Sequence, residues 1–144
     1  MSGIALVISD VDGTLVTTDK RLTERSRAAV ALLKRRGVAF TVVSSRPPFG
    51  MRMLVAPLAL DLPFAAFNGC ALVTPALAPI EEHPIGAAAA KAALAILDQH
   101  GISAWLFTTR EWMIRDPNGP HVDHERHTVL TEPRLVADFA PYFD

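Results

Sequence analysis

Three features of this sequence predict an α/β fold built on a parallel sheet. Two short, nearly unbroken apolar runs, Ile4 to Ile8 and "VAFTVVSS" at 38–45, flank one helix-patterned segment, with tight joints at both ends. Unbroken runs with β-branched members suit strands covered on both faces, and strand–helix–strand is the unit from which parallel sheets are made. Both places where polar residues cut into an apolar strand, Asp10/Asp12 and Ser44/Ser45/Arg46, then fall at the same carboxyl edge, where such sheets bind ligands.

Each element follows from local chemistry. Ile4 to Ile8 is the first strand. Thr23 can cap a helix through "ERSRAAVALLKRR", with Ala29, Leu32, Leu33 and Arg36 at adjoining positions and Gly37 as its stop. "VAFTVVSS" is the second strand, and the crossover between the two is expected to be right-handed. A helical stretch over Phe49 to Ala56 ends near Pro57, and "PFAAF" reads as a third strand ending in Asn68-Gly69. The Pro-rich "TPALAPIEEHPIG" looks like a passage between modules. Beyond it, "AAAAKAALAILDQH" is a strong helix with Gly101 behind it, and "SAWLFTT" and "EWMIRD" are strand-like, with a turn at "DPNG". "HVDHERH" and "EPRLVADFAPYFD" are read as helical.

Composition narrows the function classes. The 144 residues suit one domain, or one and part of another, and can bury roughly two-thirds of the unfolded chain's surface. Net charge is −1 and the longest basic cluster is Lys34 to Arg36, so a nucleic-acid partner is not expected. The single Cys70 cannot form an intramolecular disulfide, and "MSGIALVIS" has neither the basic start nor the apolar length of a signal peptide, so a cytoplasmic location is expected. "APLALDLPFAAF" is broken by Asp61 and two prolines, and no membrane span is expected.

"VISDVDGTLVTTDKRLT" carries the chemistry. Asp-Gly is a common hairpin pair, with Val7-Ile8 and Leu15-Val16 as candidate arms. A calcium loop would need Gly at its sixth position and an acid at its twelfth, which here are Leu15 and Arg21. A third reading accounts for more residues. Two carboxylates at one strand end make a hard-oxygen site for Mg²⁺, and the cation lets a carboxylate approach a phosphate dianion. One acid can attack, while the other protonates the leaving oxygen and later deprotonates water. Gly13 permits a tight bend that presents N–H groups to the phosphate, the Thr14 hydroxyl can fix the geometry, and Ser44 can donate from the neighbouring strand.

The stretch "DVDGTLVTTDKRLTERSRAAVALLKRRGVAFTVVSSRP", followed by "FNGC", resembles the Cof-type phosphatases of the haloacid dehalogenase superfamily. The likeness joins the Asp-x-Asp-Gly-Thr motif, the crossover helix, a second-strand Ser/Thr before Arg-Pro, and an Asn-Gly that precedes an inserted cap. It implies a Rossmann-like parallel sheet in residues 1–74, as part of the core, and part of an α/β cap in residues 75–144. It implies that Asp10 is the nucleophile and a Mg²⁺ ligand. Asp12 would be the general acid/base and lend its backbone carbonyl to the metal. Ser44 matches the phosphate-binding hydroxyl, and Arg46 and Asn68 fall near the phosphate and the cap hinge. The substrate would be a small phosphorylated metabolite such as a sugar phosphate.

Two departures stand out. Ser45 occupies a position where the family has Gly, which bears on pocket width. The Lys and the Gly-Asp-x-x-Asn-Asp stretch that complete the family's site have no counterpart here, and Lys91 reads as a solvated helix residue. The expectations are therefore weak turnover by this chain alone, as in a truncated enzyme, with a non-catalytic phosphate- or partner-binding remnant as the alternative. In the family, returning strands would flank the first strand. Without them strand 4–8 is an edge, and self-association through it is expected. A response-regulator receiver would need its phosphorylated Asp after the third strand, where this chain has Asn68.

His121, His124 and His127 recur at intervals of three and could share a helix face toward Zn²⁺, but a solvated surface is the better reading. Cys70 reads as a small buried hydrophobe, and Trp105, Phe107 and Trp112 as cap core.

Overall fold

The computed structural model describes residues 3–143 and forms two compact units, one ending at Glu82 and the other beginning at His83. The first holds a five-stranded sheet, β1 (Leu6–Asp10), β2 (Ala39–Val43), β3 (Phe64–Ala66), β4 (Ala71–Val73) and β5 (Pro79–Glu82), in that spatial order. Strands β1, β2 and β3 run parallel, and β4 and β5 turn back antiparallel. The α/β parallel-sheet class read from the sequence is the observed one.

Helix α1 (Glu24–Arg35) makes the β1–β2 crossover, and the short α2 (Arg52–Val55) lies between β2 and β3. The Thr23 hydroxyl accepts the Ser26 N–H at 3.1 Å, satisfying one of the orphan donors of the first turn. At the other end Gly37 adopts a φ of 74°, and its N–H and that of Val38 close on Lys34 and Leu33 carbonyls. Val7, Phe40, Val42, Phe64 and Ala66 join Val30 of α1 and Met51 and Leu54 around α2 in one core. Each large side chain withdrawn from water there contributes about 1.5–3 kcal/mol.

The apolar first run is not covered on both faces. In β1 and just before it the residues that alternate away from the core stay open, with Ile4 74% exposed ahead of the strand and Leu6 44% and Ile8 59% exposed within it. β1 is also the end strand of its sheet among the described residues, with β2 on one side. The Pro-rich stretch contributes more than a passage: its Pro79–Glu82 segment pairs with β4, which the sequence reading did not identify as a strand. Pro79 sits at the first position of an end strand, where a missing N–H costs no ladder bond.

The second unit contains α3 (Ala87–Gln99), β6 (Trp105–Phe107), β7 (Trp112–Ile114), α4 (Val122–Val129) and β8 (Arg134–Leu135). β6 and β7 are antiparallel, and β8 joins β7 in parallel. Trp112 is buried, stacked on Phe107 with ring centroids 5.8 Å apart, while Trp105 and Phe107 are half-buried. The helix expected over "HVDHERH" is α4. The one expected over "EPRLVADFAPYFD" is replaced by β8 and a single 3-10 turn at Ala140–Tyr142, because Pro133 and Pro141 each remove a helix donor. Asp144 of that segment lies outside the described residues. Among the described residues no helix is long and apolar enough to cross a membrane.

Candidate active site

β1 ends at Asp10, and the next residue folds the chain back sharply. The Val11 side chain is fully buried, and its carbonyl accepts the N–H groups of Thr14, Leu15 and Val16 at 3.3, 3.0 and 3.0 Å. Gly13 makes this wrap possible with a φ of 77°, a region L side chains enter at a cost. β1 pairs with the parallel β2 rather than with 15–16, so "DVDGT" is not a simple hairpin. From there a small flap continues to Leu22, pinned where Val16 bridges both Asp12 and Leu22. Thr17 closes its tip: its N–H donates to the Arg21 carbonyl, and its hydroxyl oxygen accepts the Arg21 N–H.

The two acids on this loop have different surroundings. Asp10 is exposed, and its Oδ2 accepts the Thr14 hydroxyl at 3.0 Å. Asp12 is clamped. Arg46 Nε donates to its Oδ2 at 2.7 Å and Nη2 to its Oδ1 at 2.8 Å, while Lys20 Nζ reaches Oδ1 at 2.8 Å. Hydrogen bonding from Arg46 chiefly holds the Asp12 carboxyl down at about 2, against the upward push of burial, and the Lys20 bond adds to the lowering.

The register carries the other candidates to this edge. Asp10 lies opposite Val43 of β2, and Val43 opposite Ala65 of β3, so the segments after all three strands emerge together. Ser44 is buried, and its hydroxyl oxygen accepts the Arg46 N–H at 3.2 Å. The Asn68 N–H donates to the Ser44 carbonyl at 2.8 Å, and that of Phe67 to the Arg46 carbonyl at 3.0 Å, tying the loop after β3 to the loop after β2. Phe67, Asn68 and Gly69 form this crossing with φ values of 50°, 55° and 100°, an uncommon run for non-glycine residues. Ser45 is exposed and outside the left-handed region, so its backbone does not require the family's glycine.

Asp10, Asp12, Gly13 and Thr14 therefore share one loop, Arg46 meets Asp12 directly, and Ser44 and Asn68 are joined through backbone. Arg46 is held firmly at this edge: its guanidinium donates to Asp12 and, through Nη1, to the Gly50 carbonyl at 3.0 Å. Lys20 is the residue the sequence reading missed. Its approach to Asp12 depends on the flap turning at a left-handed residue, which no apolar pattern signals.

A hard cation such as Mg²⁺ takes one or two protein carboxylates and fills its other positions with water and phosphate oxygens. Asp10 fits that chemistry. Asp12 has its carboxylate turned to two cations, and the family resemblance implies that it would offer its backbone carbonyl instead. Among the described residues no group of three or more His, Cys, Asp or Glu side chains could hold a metal, which bears equally on His121, His124 and His127. The donors present suit a metal held partly by phosphate and water, not one caged by protein. Cys70, expected to be buried, is exposed.

The family model for haloacid dehalogenase-like hydrolases matches residues 7–141. The pyridoxal phosphate phosphatase YbhA of Escherichia coli is 27% identical over 129 residues, 89% of this chain and 47% of that protein. A haloacid dehalogenase-like hydrolase from Bacteroides thetaiotaomicron superposes with a TM-score of 0.85 at 18% identity, covering 99% of this chain and 55% of that one. The sugar phosphatase BT4131 superposes at 0.77 with 19% identity, covering 97% and 55%. The chain thus spans about half the length of these relatives. With the motif and the parallel sheet in agreement with a family model that spans residues 7–141, this chain belongs to the haloacid dehalogenase-like hydrolases.

Proposed function

We propose that this chain carries the nucleophile side of a phosphomonoester hydrolase site acting on a small phosphorylated metabolite. The observation that supports it most is the unequal setting of two acids on one loop, one open and lightly bonded, the other clamped between cations. In this reading Asp10 attacks phosphorus, the ester P–O bond breaks, and the alcohol leaves with a proton from Asp12. Water then attacks the aspartyl phosphate, Asp12 takes its proton, and phosphate departs, restoring Asp10. Asp12 as found accepts hydrogen bonds as a carboxylate, so its surroundings favour the second half-reaction, in which it receives a proton. Gly13 and Thr14 N–H groups, the Ser44 hydroxyl and Asn68 would orient the phosphate. Mg²⁺, held by Asp10 and the Asp12 carbonyl, would screen the repulsion between Asp10 and the dianion.

The names of YbhA and BT4131 support a pyridoxal-phosphate- or sugar-phosphate-sized substrate. Residues up to Glu82 would serve as core, since β5 joins the core sheet, and those from His83 as cap, a later boundary than the 74/75 expected from the sequence. A lone cysteine suits a reducing compartment, and the cytoplasm is the location proposed. Self-association through β1 belongs to the same reading.

The test is hydrolysis of p-nitrophenyl phosphate with MgCl₂ by the wild type and Asp10→Asn. Turnover is expected to fall at least about 100-fold in the variant. Turnover indifferent to Asp10 would overturn the mechanism. A second reading, a module that binds phosphate without hydrolysing it, is favoured by the Asp12 carboxylate, whose oxygens are already engaged by Arg46 and Lys20. Magnesium-dependent phosphate binding with no turnover would select it.

A further inference from the structure

We propose that Lys20 is the movable cation of this site, leaving Asp12 to bind the phosphate of an incoming phosphomonoester. The inference rests on the phosphate-handling reading above and adds a residue that reading does not use.

Asp12 does not need Lys20 to be held. Arg46 already donates to both of its carboxylate oxygens, so the Lys20 bond to Oδ1 is a second donor on an occupied atom. The two cations also differ in freedom. Arg46 has only 2% of its side chain exposed and is fixed by a third bond to Gly50. Lys20 has 19% exposed, and among the described residues its ammonium bonds only to Asp12, with a single donor of its three. A flexible stem ending in a compact charge can turn from one anion to another, where a planar bidentate guanidinium cannot without breaking two bonds.

Charge and backbone point the same way. Asp10 and Asp12 are matched in number by Arg46 and Lys20, both of which sit on Asp12, so a phosphate dianion entering beside Asp10 adds negative charge that a turned Lys20 would offset together with Mg²⁺. Lys20 also holds a φ of 61° at the flap tip, in a turn closed by its own N–H to the Thr17 carbonyl at 2.9 Å. Turn chemistry alone would favour Gly or Asn there. A lysine kept in the left-handed region is explained by what its side chain does at Asp12's edge of the site.

Calorimetric titration of the full chain with inorganic phosphate, with and without MgCl₂, tests this. The wild type is expected to bind. Lys20→Met should weaken binding about tenfold or more, and Lys20→Arg should recover most of it, with both variants melting within a few degrees of wild type. Equal phosphate affinity in wild type and Lys20→Met would overturn the inference while leaving the proposed function standing. No phosphate binding by the wild type would overturn both. Lost affinity in Lys20→Met that accompanies a lost unfolding transition and is not restored by Lys20→Arg would make Lys20 structural, and would also overturn it.

Discussion

Arg46 decides the state of Asp12, and that makes acid stability a readout of the clamp. The folded pKa of Asp12, about 2, lies below its ordinary 3.8, so the stabilisation is complete above pH 3.8 and is lost as pH falls through about 2. With its side chain 26% exposed, Asp12 contributes about 2 kcal/mol through this shift. Arg46→Met, which strips a buried guanidinium from its partner, should cost about 3 kcal/mol near neutral pH. The variant should also lose much less stability than wild type between about pH 5 and pH 2.5, with the difference near 1.5 kcal/mol. Urea unfolding at the two pH values measures both. Equal acid sensitivity in the two proteins would show that Arg46 does not set the Asp12 titration. At this scale the shared loop of Asp10, Asp12, Gly13 and Thr14 was legible, because short spacings at one strand end fix their neighbourhood. Ser44 was placed at the same edge by the parallel pairing of β2 with β1. The Arg46–Asp12 contact spans 34 positions and the Lys20–Asp12 contact rests on a left-handed turn, and neither leaves a local pattern.

Elements with chemical punctuation were the readable ones. For α1, Thr23 and Gly37 mark both ends, and the structure places the cap bond and the left-handed stop at those residues. Thr23→Ala should lower stability by about 1 kcal/mol while Thr23→Ser keeps it, as read from thermal melts. A melt unmoved by Thr23→Ala would mean the Ser26 N–H finds water as readily as the hydroxyl. The strands β4 and β5 lacked such marks, since β4 is a three-residue apolar run ahead of Thr-Pro and β5, Pro-Ile-Glu-Glu, has one apolar β-former among a proline and two acids. The segment 132–143 misled in the opposite sense: its apolar spacing resembles a helix, but Pro133 and Pro141 withhold donors and only β8 and one 3-10 turn form. The loop at Phe67–Gly69 is set by tertiary bonds to Ser44 and Arg46, so its three positive φ values could not be anticipated from composition.

At the scale of the molecule, an apolar run reads the same whether one face or both are covered, so Ile4 to Ile8 suggested a fully buried strand. The edge position came instead from the sheet order that the resemblance implies, and β1 does end the sheet of the described residues. Its consequence is physical: an end strand offers unpaired N–H and C=O groups, and here Leu6 and Ile8 add an open apolar face beside them. No β-bulge is recorded in its pairing with β2, and no lysine or proline lies in Leu6–Asp10 to discourage a neighbour. Two copies related by a twofold axis could pair β1 edges antiparallel and bury both Ile8 side chains at once. Light scattering on the full chain at micromolar concentration should therefore give a mass of two chains or more. Ile8→Lys, which adds a charge where 59% of the residue already meets solvent, should return it to one chain with little loss of unfolding stability. A monomeric wild type would show that the bare strand is tolerated in water. A dimer indifferent to Ile8→Lys would place the contact elsewhere on the molecule.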